Sequence, residues 1–470
     1  MNKKITRKSF IKKASVLSIG FAGLSSYLLS NSVKHLSSMT YNLVKDVNGI
    51  LNLPLGFQYK IISKFNDRMS DGLTVPNHAD GMGCFKIDNN RVALVRNHEL
   101  GRFAQYNFIT DYKKSAFAGN DEQLELYPKN KIYDNCSDGT PCFGGTTTII
   151  YNTKREKVEN QYLSLSGTLV NCSGGITPWG TWISCEETVA KQNNYLMKDH
   201  GYNFEVTPSK KRILSNPEPI IDMGRFRHEA VAFQKDGLGV VYQTEDRKTG
   251  LIYRYIPKNK TKLLAGGKLQ ALAFSDESSF DTRNWNEVKV KQGDVFNVKW
   301  KDLENTQSPD DDLRKQGFNN GCAIFARGEG MWEHSGEIFF TCTTGGRKEL
   351  GQIWKYTPSP NEGLSTEELS PAKLELFFES ENAQSLDKCD NMTIAPNGDL
   401  IVCEDGNGSD RIIGIRKDGS SYLVGKNILN NSELAGACFS PDGKILFVNI
   451  YKPAMTIAIS GDWNKLSNKA

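Results

Sequence analysis

The chain has 470 residues, a hydrophobic share of 38%, an aromatic share of 10% and 42 glycines. That mix suits a soluble globule with many turns, of all-β type. The formal net charge of +4 is small for such a length and gives no global case for nucleic acid as a partner.

In chain order, residues 1–31 read as an export signal rather than as part of the fold. Lys3, Lys4, Arg7, Lys8, Lys12 and Lys13 form a basic region, and residues 14–29 are mostly apolar but short for a membrane span. Thr6-Arg7-Lys8-Ser9-Phe10-Ile11-Lys12 resembles a twin-arginine signal, with Lys8 in place of the second arginine. An uncleaved N-terminal anchor is the alternative. Cleavage removes six positive charges and leaves a mature chain of roughly −2. Export implies a periplasmic or secreted protein with no membrane attachment after cleavage. Residues 45–465 are expected to form one domain.

A first outer strand region is expected from Leu51, and residues 111–133 read as a long polar surface loop. Cys136 and Cys142 flank a turn-rich loop that a disulfide would close in an oxidising compartment. Cys84, Cys185, Cys322, Cys342, Cys403 and Cys438 sit in apolar strands and read as reduced core residues. Another strand starts at Gly144. Residues 201–206 read as an outer strand on which alternation turns Glu205 to solvent. Residues 250–255 and 351–356 are paired copies of one blade strand. Residues 276–313 form a charged, partly helical insertion of the kind that caps a channel mouth.

Residues 172–187 are the stretch around which the rest is arranged. They read as strand, Pro178-Trp179-Gly180 turn and strand, with a thiol at one end and Glu186-Glu187 at the other, so both polar ends point the same way. The hairpin recurs at 228–246 and 390–405. With Gly180, Gly237 and Gly398 in register, Cys172, Glu229 and Asp390 fall in one column, and Glu186, Glu245 and Glu404 lie near the other ends. Looser copies run from Asp80 to Glu99, from Arg327 to Thr344 and from Glu433 to Asn449. Six irregular copies of one β unit imply a toroidal repeat fold, a six-bladed β-propeller whose strand ends converge on one mouth of a channel.

Asp80, Glu99, Glu186, Glu187, Glu229, Glu245, Asp246, Glu329, Asp390, Glu404, Asp405 and Glu433 all belong to repeat ends. Gathering so many carboxylates without cations is repulsive and raises their pKa values. Oxygen-only clusters favour Ca²⁺, and one thiolate, Cys172, favours a transition metal such as iron or zinc. Structural zinc patterns are absent, since there is no Cys-x-x-Cys pair. His98 and His228 are the histidines beside repeat carboxylates, and both read as supporting residues rather than ligands. Arg327, two residues before Glu329, is placed either to clamp a phosphate or carboxylate or to neutralise the acidic ring. Arg247 invites the same two readings. No nucleophile elbow and no Walker loop occur.

The segments 171–187, 227–229, 244–247, 327–330, 403–405 and 434–443 together resemble the PhoX-type alkaline phosphatases, in the same order and over most of the mature chain. The resemblance implies an exported six-bladed propeller that holds Fe³⁺ and Ca²⁺ at its channel mouth and hydrolyses small phosphate monoesters, as a monomer. It implies Cys172 as the thiolate ligand of Fe³⁺, Glu229 and Glu329 as iron or calcium ligands, and Arg327 as the phosphate clamp. Asp80, Glu99, Glu187, Glu245, Asp390 and Glu404 complete the expected ligand set. Ser173-Gly174 departs from an Ala-His pair associated with many members. A Ca²⁺-dependent propeller lactonase or phosphodiesterase, and a non-catalytic Ca²⁺-stabilised binding propeller, stay open as alternatives.

Overall fold

The structure is a computed structural model that describes residues 43–101 and 116–467. The expected export signal lies outside the described residues. Among those described, no helix is long and apolar enough to cross a membrane.

Six strands form an inner ring, in chain order Ala79–Lys86, Asn171–Ile176, His228–Phe233, Gly328–His334, Cys389–Ile394 and Leu434–Phe439. Each packs against the next, and the last packs against the first, which closes the ring. Each also pairs antiparallel with the strand that follows it in sequence, so the recurring hairpin is the inner half of a blade.

Hydrogen bonding divides the strands into five sheets rather than six. The third and fourth blades merge into one nine-stranded sheet through Val295–Asp302, which pairs with Gly267–Phe274 on one side and Ala372–Glu379 on the other. Part of the 276–313 insertion therefore bridges the outer edges of two blades. Its later part does run toward the mouth: Asp311 pairs with Arg247 at 2.6 Å, and Arg225 donates to the Ser308 carbonyl. The last blade is completed by an N-terminal strand, since Gln58–Lys64 pairs with Met455–Ser460. Leu51–Pro54 adds to the outer edge of the fifth blade beside Ser421–Asn427. Closure by both ends of the chain leaves the ring no open seam.

The core lies between blades rather than around one centre. Apolar side chains such as Trp354, Phe340, Tyr242 and Phe325 fill the space between the third and fourth blades. Residues 119–126 and 128–132 run over the surface, exposed or half-buried, between buried anchors. Phe117, Tyr127 and Tyr133 are buried, and Phe117 packs with Phe143 and Leu163 under the first blade. Glu205 is half-buried, the one residue of Asn203–Val206 that is not fully buried, and it is also tied down. Its Oε1 accepts from Trp179 Nε1 and Thr181 Oγ1, both at 2.6 Å, which pins the Pro178-Trp179-Gly180 turn to the third strand of its blade.

A candidate metal centre at the channel mouth

All six inner strands carry the same local defect. In each, one extra residue interrupts the pairing with the following strand, between Ala79 and Met82, Asn171 and Gly174, His228 and Val231, Gly328 and Met331, Cys389 and Met392, and Ala435 and Cys438. A β-bulge of this kind re-aims a side chain that regular alternation would send elsewhere. The first residue in each bulge is Asp80, Cys172, Glu229, Glu329, Asp390 or Gly436. Four of the strands are also preceded by a non-glycine residue in the left-handed region, His78, Val170, Arg327 and Lys388. Such a conformation costs about 1–2 kcal/mol for an L-residue, and its recurrence at equivalent places marks this end of the ring as constrained. Glycines let neighbouring strands meet by their backbones here. A Cβ on Gly81 would lie 2.5 Å from Ser173 Cα, and one on Gly436 would lie 2.3 Å from the Asp80 carbonyl oxygen.

The bulges gather a chain of four ligand groups, each of three residues whose donor atoms lie within 4.8 Å of one another. Asp80, Glu99 and Cys172 form the first, and Cys172, Glu187 and Glu229 the second. Glu229, Glu329 and Asp390 form the third, and Asp390, Asp405 and Glu433 the fourth. Cys172, Glu229 and Asp390 each belong to two groups and link the four into one arc. The first two are buried and the last is half-buried, so the arc opens toward solvent at its Asp405–Glu433 end.

The electrostatics are those of a cation site. Burial first, then the neighbouring carboxylates, push Asp80, Glu229, Glu329 and Glu433 well above the usual carboxylate range. Burial also raises Glu187, although Arg227 Nη2 sits 3.1 Å from it. Asp390 is pushed up to about 7 by burial and by Asp405. The Cys172 thiol is pushed up by burial and by Asp80, whose Oδ2 lies 3.5 Å from the sulfur. Glu229 is fully buried, and neither of its oxygens has a hydrogen-bond partner among the described residues. An ionised carboxylate left so is costly, and a bound cation is the ordinary remedy.

Arg327 is fixed from two sides. Its Nε and Nη2 donate to Asp246 at 2.9 and 3.0 Å, and Nη2 donates to Glu329 at 2.6 Å. Burial opposes ionisation of Asp246, but this guanidinium still holds it below the usual range. The Arg327 side chain remains 27% exposed, so it keeps a face toward solvent at the mouth. The Tyr451 hydroxyl donates to Glu99 at 2.6 Å and orients it.

Seven of the nine expected ligands therefore meet here: Cys172, Glu229, Glu329, Asp80, Glu99, Glu187 and Asp390. The structure does not bring Glu245 or Glu404 to the arc. Glu245 accepts from the Tyr253 hydroxyl at 2.7 Å and the Leu251 amide at 3.1 Å, with Arg314 at 3.7 Å. Glu404 accepts from Arg411 Nε at 2.7 Å and the Asp387 amide at 2.7 Å. In their blades the following residue turns to the mouth instead, Asp246 beside Arg327 and Asp405 in the fourth group. Glu433 also belongs to the arc. Arg227 lies in the 227–229 motif and Asn391 in the 390–405 hairpin, but their roles, and Tyr451 altogether, emerge only from the packing. His98 and His228 are buried supports, His98 between the Asn77 carbonyl and Thr147 and His228 between Asn203 and the Gly224 carbonyl. Arg247 pairs with Asp311 and not with the arc.

Comparison with known proteins agrees with this architecture. The structure is similar to that of Pseudomonas fluorescens PhoX in complex with vanadate, a transition state analogue, with a TM-score of 0.63 at 17% sequence identity over 90% of this chain and 98% of that one. A gluconolactonase from Xanthomonas campestris aligns with a TM-score of 0.39 at 10% identity, over 87% of this chain and 97% of that one. No curated protein matches the chain in sequence. The family "Alkaline phosphatase PhoX" matches residues 39–454, and the chain belongs to that family.

Proposed function

We propose that this protein is an exported alkaline phosphatase that hydrolyses small phosphate monoesters at an Fe³⁺/Ca²⁺ cluster in the channel mouth. Family membership supports phosphatase chemistry. The observation that carries the metal reading is Glu229, whose two buried oxygens have no partner among the described residues while Cys172, Glu187, Glu329 and Asp390 surround it. The two groups that contain Cys172 join a thiolate to carboxylates and suit iron. The two oxygen-only groups, through Glu329, Asp390, Asp405 and Glu433, suit Ca²⁺. When bound, such cations act as Lewis acids on the phosphoryl oxygens and stabilise the leaving alkoxide.

The chain's own groups do the rest. Arg327 presents a planar fork of donors whose position Asp246 and Glu329 have already fixed, so little ordering remains when it takes a phosphoryl oxygen. Arg227, held by Glu187, adds positive charge on the same side. Tyr451 and Asn391 hold Glu99 and Asp80 without adding charge. On this reading the leader directs the enzyme to the periplasm or outside the cell, and the enzyme acts there as a monomer.

The test is hydrolysis of p-nitrophenyl phosphate by the exported, metal-loaded protein before and after treatment with EGTA. Turnover should disappear with the chelator and return with Ca²⁺. Absence of turnover in folded, metal-replete protein would overturn the reading. A fully active Cys172→Ala variant would remove Cys172 from the site.

A further inference from the structure

A second group of donors lies outside the mouth, behind the second blade. Asp134, Cys142 and His200 place a carboxylate oxygen, a thiol and an imidazole nitrogen within 4.8 Å of one another, all three residues buried. The Cys136 thiol is 3.0 Å from that of Cys142 and is also buried. The segments come from different places. Asp134, Cys136 and Cys142 sit in the connection before Gly144–Asn152 of the first blade, and His200 precedes Asn203–Val206 of the second.

His200 is oriented as a ligand would be. Its Nδ1 lies 2.7 Å from Glu186 Oε1, and Glu186 itself accepts from the Leu169 and Gly201 amides, each at 2.8 Å. A carboxylate bound to one ring nitrogen fixes the tautomer and turns the other nitrogen outward, the usual support for a metal-bound imidazole. Nε2 then faces Asp134 Oδ2 at 3.3 Å, and against burial the two carboxylates push the imidazole up to about 9, so a cation here takes the place of the Nε2 proton. Asp134 is held by the Met197 and Lys198 amides on Oδ2, at 2.9 and 3.1 Å. Its Oδ1 is fully buried with no hydrogen-bond partner among the described residues. The His200 imidazole, a carboxylate oxygen of Asp134 and the Cys142 thiol thus meet within 4.8 Å, with the Cys136 thiol beside that of Cys142.

We infer that Asp134, Cys142 and His200 form a separate site for a thiophilic divalent cation of the Zn²⁺ type, which ties the first blade's connection to the second blade. Sulfur, imidazole and carboxylate donors together are a set that zinc takes, with the fourth position left to solvent. The site shares no ligand with the mouth and does not depend on the phosphatase reading. A metal-bound Cys142 thiolate would also resist oxidation in an oxidising compartment.

The experiment uses the full protein carrying Cys172→Ser, so that the mouth contributes no thiolate. Chelator-stripped, reduced protein is titrated with Co²⁺ and followed by thiolate-to-cobalt charge-transfer absorption, then by competition with Zn²⁺. One equivalent should produce the band, and Zn²⁺ should abolish it. Adding Cys142→Ser should remove the band, and adding His200→Gln should weaken binding at least tenfold. Absence of the band in folded Cys172→Ser protein would overturn the inference. So would a Cys136–Cys142 disulfide found by mass spectrometry in wild-type protein isolated without reductant. If Cys172→Ser fails to fold, the zinc content of wild-type and Cys142→Ser proteins decides instead. A loss of one equivalent supports the site, and equal content overturns it.

Discussion

Two tiers of acidic residues lie one position apart and have opposite surroundings. Glu186, Glu245 and Glu404 are the last residues of their strands and pair across with Asn171, His228 and Cys389. Each accepts hydrogen bonds from backbone amides or neighbouring side chains behind the mouth. Glu187, Asp246 and Asp405 follow immediately and turn to the mouth, where Glu187 and Asp405 join the ligand groups and Asp246 holds Arg327. Successive residues of an extended chain face opposite sides, so the first tier ties down the blades and the second faces the cations. The difference is one of partners, not of residue type.

The sharpest way to break this contrast is Glu229→Gln, which keeps shape and removes charge at the centre of the arc. Hydrolysis should fall by at least about a hundredfold, the scale seen when one preorganised electrostatic group is lost. Metal-stripped Glu229→Gln protein should be more stable than stripped wild type, because a repelling buried charge is gone. Thermal melts of the two stripped proteins check this, and a lower melting temperature in the variant would count against the arc as a cation site.

The inner tier should respond in the other sense. Glu404→Ala leaves Arg411 without its carboxylate in a site only 18% exposed. Stability should drop by about 3–5 kcal/mol, the usual cost of breaking a buried pair, while turnover per folded molecule stays near wild type. Denaturant titration with active-site-normalised kinetics separates the two effects. If turnover collapsed instead, the division into tiers would fail.

Arg327→Lys keeps the charge but loses the fork that engages Asp246 through two nitrogens. A loss of about tenfold or more in kcat/KM is expected, with a smaller change in melting temperature than in Glu404→Ala. Equal kcat/KM in the two proteins would place Arg327 among the supports.

The smallest effect is one of pH. Asp80, Glu187, Glu229, Glu329 and Glu433 are raised in the folded chain, and Asp390 to about 7. The folded chain therefore holds more protons than the unfolded one above about pH 4, the ordinary carboxylate value. Their contribution to stability is full below that value and is lost as pH rises through the folded values. Metal-stripped protein should thus melt lower at pH 8 than at pH 5, and metal-loaded protein should lose much less across that range. A flat profile for the stripped protein would show that burial and mutual repulsion do not raise these groups.

The sequence by itself determined much of this. Recurring hairpins with glycine turns made the ring of inner strands legible, because antiparallel units of one length that cannot bury both faces alone must stack. The long motifs around Cys172, Glu229 and Arg327 carried the family. Which acid of each Glu-Glu or Glu-Asp pair faces the mouth was decided by strand pairing, since a shift of one residue reverses every side chain. Bulges leave no composition signal, and they set the aim of all five inner-ring ligands. The merging of two blades into one sheet depended on Val295–Asp302 reaching two outer edges at once. The Asp134, Cys142 and His200 group was equally hidden. Its thiol belongs to no Cys-x-x-Cys pair, and its histidine lies 58 positions beyond Cys142 in the chain. Only the packing of one blade's connection against the next brings those donors within reach of a single ion.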